Sequence, residues 1–236
     1  MADGASNSAR FLHAQGAAAW DISDEVLRFI AENVKPGQIT LETGAGQSTL
    51  AFVRAGARHT AVTPSTTEAE AIRAAATAQG LPSDALSFVF GYSQTVLPTL
   101  AEHGPLDFVL IDGGHGFPIP AVDWVYTAPR LRVGGFMMVD DVDLWTGEML
   151  VGFMAAEACW QKVTVLRGRT AVFKLVSPFE LHEWTRQPYV VAKSRLPQSW
   201  RKAKNLAKLL LKGDFKAIRA KAANEQRLAE AARQDY

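Results

Sequence analysis

Apolar positions recur at two spacings along this chain. In residues 22–34, Val26, Leu27, Phe29, Ile30 and Val34 fall on one side of a helix. Ser23 is placed to cap it and Lys35-Pro36-Gly37 to end it. Short apolar runs at 38–42, 59–63, 86–90, 107–111 and 135–139 read as strands. Residues 48–54, 68–79, 94–102, 121–131 and 147–158 read as the helices between them. Two further strands, 163–166 and 171–175, are joined by the hairpin-like link Arg167-Gly168-Arg169-Thr170. Such alternation, closed by an antiparallel pair, predicts a doubly wound, mainly parallel seven-stranded α/β sheet with helices on both faces and an antiparallel last strand.

The pattern changes near residue 193. Residues 194–232 are basic, with Leu206, Leu209, Leu210, Phe215 and Ile218 as apolar positions. Gly213-Asp214 divides them into two helical pieces, Asp214 capping the second. The expected organisation is therefore an α/β domain over 1–192 and a basic helical extension over 193–236. Charge sharpens this division. Residues 193–221 hold ten Lys or Arg and one acid, whereas residues 1–192 hold thirteen basic and twenty acidic side chains. An acidic body with a basic tail speaks to partners rather than to fold. The tail has three readings: a solvated helical extension, an arm for self-association as a homodimer, or a peripheral contact with an anionic membrane surface. Nucleic acid fits less well, because the body is acidic and shows no RNA-binding module. The single cysteine, Cys159, excludes an internal disulfide framework and a zinc cluster. With no signal-peptide pattern at the start, the expectation is a cytoplasmic protein.

The chemistry concentrates at three strand ends. The first strand runs into Glu42-Thr43-Gly44-Ala45-Gly46-Gln47-Ser48, where glycines let the backbone approach a ligand and a helix start offers free N–H groups. A dinucleotide site would want a third glycine, at Thr49, and an acid about 20 residues beyond the first glycine, where Thr63-Pro64-Ser65 stands. Glu42 would oppose a pyrophosphate but could accept bonds from an ammonium group, which favours an amino-acid-bearing ligand. The fourth strand ends in Asp112 and the fifth in Asp140-Asp141. Neighbouring strands bring these carboxylates together, and such a cluster needs a cation or raised pKa values. His115, two glycines after Asp112, is suited to take a hydroxyl proton. Phe117, Trp124 and Trp145 read either as pocket wall or as packing.

Glu42-Thr43-Gly44-Ala45-Gly46-Gln47-Ser48-Thr49 resembles motif I of the class I S-adenosylmethionine (SAM)-dependent methyltransferases. Together with Ile111-Asp112-Gly113-Gly114-His115 it resembles, more narrowly, the macrocin-type and cephalosporin-cluster O-methyltransferases. The resemblance implies a Rossmann-like methyltransferase fold. It also implies that Glu42, Gly44, Gly46 and Ser48 line the methionine end of SAM and that Tyr92 and Ser93 lie near the adenine. Asp112 stands at the cofactor edge. The family's ribose-binding acid is replaced by Thr63, with Ser65, Thr66 or Glu68 as other candidates. Catechol-type O-methyltransferases carry a comparable acidic set, so the resemblance further implies Asp112, Asp140 and Asp141 as ligands of Mg2+. The expected activity is O-methylation of a small-molecule or sugar hydroxyl, with His115 and Asp112 catalytic. Two other classes stay open: a non-catalytic binding or assembly protein on the same fold, and a nicotinamide-dependent oxidoreductase.

Overall fold

The computed structural model describes residues 22–100, 104–211, 213–217 and 219–220. The chain divides into two compact units, 1–181 and 182–236. In the first, helix α1 (Asp24–Asn33) precedes β1 (Ile39–Thr43), α2 (Gln47–Arg54), β2 (Arg58–Thr63), α3 (Thr66–Ala78), β3 (Leu86–Phe90) and α4 (Ser93–Leu100). Then come β4 (Leu106–Ile111), α5 (Ile119–Thr127), β5 (Leu131–Val139), α6 (Trp145–Ala156), β6 (Trp160–Leu166) and β7 (Thr170–Leu175). The strands form one seven-stranded sheet in the order β3-β2-β1-β4-β5-β7-β6. The first five pair in parallel, and β7 lies antiparallel to both β5 and β6. This is the Rossmann-like methyltransferase arrangement expected from the sequence.

Alternate strand positions feed two cores. Leu41, Val109, Ile111, Met137, Val139 and Phe173 join Leu97, Trp124, Leu150 and Met154 on the face covered by α4, α5 and α6. Phe108, Leu110, Met138 and Val172 join Val26, Ile30 and Phe52 on the face covered by α1 and α2. Apolar side chains on both faces are what a parallel sheet between helices requires. Ser23 caps α1 as expected, accepting from the Val26 amide. Between β6 and β7, Arg167 and Gly168 both have positive φ (46° and 70°), as in a type I′ turn, and the Arg169 amide donates to the Leu166 carbonyl at 3.0 Å.

The expected helix at 121–131 is shorter. It stops at Thr127, tightens into a 3-10 turn over Ala128–Arg130 and becomes strand at Leu131. Pro129 removes an amide donor from that turn. Strand β5 therefore begins four residues earlier than the pattern indicated, and an irregularity absorbs the excess. Leu106 pairs with Leu131, but Phe108 pairs with Phe136. Gly135 sits there because a Cβ would lie 2.7 Å from the Asp107 carbonyl oxygen.

In the second unit, helix α7 (Pro188–Leu211) runs through the expected junction at 192/193. Gly213 follows with φ +67°, and Asp214 Oδ1 accepts from the Ala217 amide at 2.9 Å, as a helix cap does. The rest of the expected second piece lies outside the described residues.

Candidate functional site

Strand order reverses between β1 and β4, and the loops beyond their carboxyl ends diverge. Such a switch point leaves a crevice. Here it is a cavity of about 580 Å³, lined by Gly44 and Ala45 from the first loop and by Thr63, Pro64 and Glu68 beyond β2. Tyr92 and Ser93 beyond β3, Asp112 to His115 beyond β4, and Arg169 from the hairpin complete it. The volume suits a small-molecule or cofactor site. Gly44 is indispensable to this shape. Its φ is +92°, and a Cβ there would lie 2.3 Å from the Asp112 carbonyl oxygen. The two loops thus touch backbone to backbone, which only glycine permits.

Of the residues expected to bind cofactor, Gly44, Thr63, Tyr92, Ser93 and Asp112 stand on the cavity wall. Glu42, Gly46 and Ser48 stand behind it. Glu42 is 1% exposed and its carboxylate is engaged within the fold. It accepts from Ser48 Oγ at 2.6 Å and from Thr49 Oγ1, both in the first turn of α2. His59 Nε2 lies 3.2 Å away, an ion-pair distance whose angle falls short of a hydrogen bond. That imidazole stacks on Phe52 and shares a 2.8 Å hydrogen bond with Thr40 Oγ1 through Nδ1. A buried carboxylate at a helix start, ringed by hydroxyls, fastens the turn from below.

The three aspartates converge as the topology required, with a guanidinium beside two of them. Asp141 Oδ1 accepts from Arg169 Nε, and the same nitrogen lies 3.8 Å from Asp140 Oδ2. Asp140 Oδ1 accepts from the Thr170 hydroxyl. His115 Nε2 lies 3.1 Å from Asp141 Oδ2, in reach though not aligned as a hydrogen bond. The structure gives no support to the expected Mg2+ set of Asp112, Asp140 and Asp141. Among the described residues no group of three His, Cys, Asp or Glu side chains is arranged to hold a metal ion. The guanidinium of Arg169 is the cation that the acidic pair faces. Burial alone would lower the pKa of Arg169, but the Asp141 hydrogen bond and the charges of Asp141, Asp140 and Asp143 raise it.

Among the described residues, the groups that act on Asp112 are acids. Burial, followed by the charges of Asp140, Glu42 and Asp141 and a hydrogen bond to Asp140, pushes its pKa well above the ordinary carboxylate range. Asp141 also holds a positive φ of 54°, uncommon for a residue with a side chain and characteristic of functional sites.

Sequence reasoning missed two residues and only glimpsed a third. Arg169 read as a turn residue, because nothing local signals that the hairpin inserts beside β5. Asp123, fully buried on α5, went unremarked inside an apolar helix. The hydroxyls of Ser93 and Thr43 lie against its carboxylate without well-formed hydrogen bonds, and burial raises its pKa. Glu68 lines the cavity, its Oε2 at 3.5 Å from Thr63 Oγ1, at the outer limit of a hydrogen bond. Trp124 is core, packed edge-on against Phe153 and Phe179. Trp145 is 63% exposed and meets Phe117 at 5.9 Å.

Comparison with known proteins accords with this geometry. Residues 41–142 match the model of a family described as a methyltransferase domain. No curated protein matches the chain. Several solved structures share the fold. The O-methyltransferase TomG from Streptomyces achromogenes, involved in tomaymycin synthesis and solved with SAM, is 18% identical with a TM-score of 0.56. The similarity covers 67% of this chain and 82% of that one. An O-methyltransferase from Bacillus cereus, solved with S-adenosylhomocysteine (SAH), is 21% identical with a TM-score of 0.55 over 67% and 84% of the two chains. A methyltransferase from Geobacter sulfurreducens is 14% identical with a TM-score of 0.56 over 67% and 82%. Residues 41–142 thus match a methyltransferase-domain model, and the sheet that carries them shares its fold with solved methyltransferases.

Proposed function

We propose that the protein is a SAM-dependent O-methyltransferase acting on a hydroxyl of a small molecule or sugar. One observation carries this reading: a single cavity brings the glycine turn, Glu68, Asp112 and His115 onto one continuous wall. The residues present fit SAM. Gly44 and Ala45 give the close backbone approach, and Asp112 offers a carboxylate to the cationic methionine end. Glu68 with Thr63 offers acceptors to the ribose hydroxyls, and Tyr92 and Ser93 flank the adenine side. Glu42, Gly46 and Ser48 shape the turn from behind. SAM supplies a methyl group already activated by its sulfonium.

The chain's own residues have the remaining work of aligning the acceptor and removing its proton. Asp141 faces His115 Nε2. A proton on that nitrogen leaves the Nδ1 lone pair as the base for the acceptor hydroxyl. The Thr146 hydroxyl donates to the His115 carbonyl at 2.7 Å and holds the loop. Such pairs commonly align only when substrate is bound. Phe117 and Trp145, exposed beside this loop, form an apolar wall for the acceptor. Nothing in the geometry favours the nicotinamide or the non-catalytic reading.

Calorimetric titration with SAH tests the cofactor. Micromolar binding is expected, and Gly44→Val is expected to lose it by about a hundredfold or more, because the new side chain drives into the Asp112 backbone. Tight binding of NAD with no binding of SAH would sink the proposal. On an identified acceptor, His115→Ala is expected to lower kcat by roughly 10²–10⁴ with SAH affinity unchanged.

A further inference from the structure

The second unit carries a surface that the methyltransferase reading does not use. Along α7, Trp200 is 68% exposed, Leu210 51% and Leu211 90%. At 3.6 residues per turn, Trp200, Ala203, Ala207, Leu210 and Leu211 fall within roughly 100° of arc. Arg201, Lys204 and Lys208 border that arc on one side. The Lys204 ammonium lies 5.9 Å above the Trp200 ring, a cation–π contact at the border of the stripe. Beyond Gly213, Phe215 is again exposed, with Lys216 beside it.

We propose that α7 is an interfacial helix that docks the protein on an anionic lipid surface. Charge complementarity selects this occupant: ten basic side chains stand against one acid between residues 193 and 221. The stripe has the composition of a helix lying in the interface plane, with aromatic and Leu side chains along it and Lys and Arg at its border. Ala203 and Ala207 make the middle of the stripe shallow. That suits insertion at headgroup depth better than anchoring in a protein groove, which takes large residues at successive turns. Among the described residues no helix is long and apolar enough to cross a membrane, so the contact would be peripheral.

The test uses the full chain and phosphatidylcholine vesicles with or without phosphatidylserine. Sedimentation is expected to show about tenfold more protein on the anionic vesicles at low salt, with the excess lost at high salt. Bromine-labelled acyl chains are expected to quench tryptophan fluorescence. Trp200→Phe should remove most of that quenching while keeping vesicle binding and helix content by circular dichroism. Lys204→Glu with Lys208→Glu should weaken binding about tenfold, with the melting temperature of the sheet unit unchanged. Equal binding to both vesicle types would overturn the proposal. So would quenching that persists in Trp200→Phe, or a salt-sensitive dimer by light scattering without vesicle binding, which would assign the surface to a second copy of the chain.

Discussion

The carboxyl ends of β1 and β5 each present buried carboxylate, and they balance it in opposite ways. At β1, Glu42 is met by two hydroxyls and the imidazole of His59, all inside the fold and none on the cavity wall. At β5, Asp140 and Asp141 are met by Arg169 and His115, both of which line the cavity. Charge satisfied by neutral donors inside the protein holds a shape. Charge satisfied by side chains that also face a ligand is available for chemistry. Under the proposed function, the acid is structural at one strand end and takes part in the site at the other.

Three substitutions break or sharpen this contrast. Glu42→Ala should have the largest effect on stability, about 3 kcal/mol, because it strands the Ser48 and Thr49 hydroxyls and His59 together. Chemical denaturation would measure it, and a loss below about 1 kcal/mol would mean that the turn does not depend on this carboxylate. Asp141→Asn should leave the melting point nearly unchanged but lower kcat about tenfold, because His115 loses the acceptor that orients it. Steady-state kinetics separates this from a binding defect, which would raise KM instead. Asp112→Asn should have the smallest effect, and one that depends on pH. The unfolded Asp112 titrates near 3.9, whereas burial and the surrounding acids raise it in the fold. Folding therefore favours the protonated form. Stability is full below the unfolded value and falls as pH rises through the raised one. The amide removes that loss, so the variant should be more stable than the parent at neutral pH and no different below about pH 4. A gain that did not vary with pH would point to packing instead.

Most of the sheet could be read from the chain because its strands and helices keep their own spacing. Even β3 (Leu86–Phe90) has the bounds the pattern predicted. The site was legible where it depends on glycine. Gly44 marks the place where two backbones meet, and Gly113 packs against Thr43. What could not be read was which side of the wall a residue takes. Glu42 and Thr43 are consecutive, but strand alternation sends Glu42 toward α2. The identity of the cation was equally hidden. Arg169 follows Asp141 by 28 residues and reaches it only because β7 enters the sheet next to β5. Three converging carboxylates ask for a cation, and the distant hairpin places a guanidinium beside two of them. The early start of β5 was hidden for a similar reason, since an irregular register at Gly135 has no periodicity to detect.

The insertion of β7 between β5 and β6 also sets an order of events as the chain is made. The five parallel strands are complete once Val139 has emerged, but β5 then presents an unpaired edge. That edge is closed by the last strand of the unit, and the same strand begins at Thr170, beside Arg169. During synthesis from the amino end, the exposed edge and the uncompensated acidic pair therefore persist together and disappear together. A nascent chain halted near residue 156 would be open both to strand pairing with a neighbour and to capture of stray cations. Release of some twenty further residues would remove both hazards in one step.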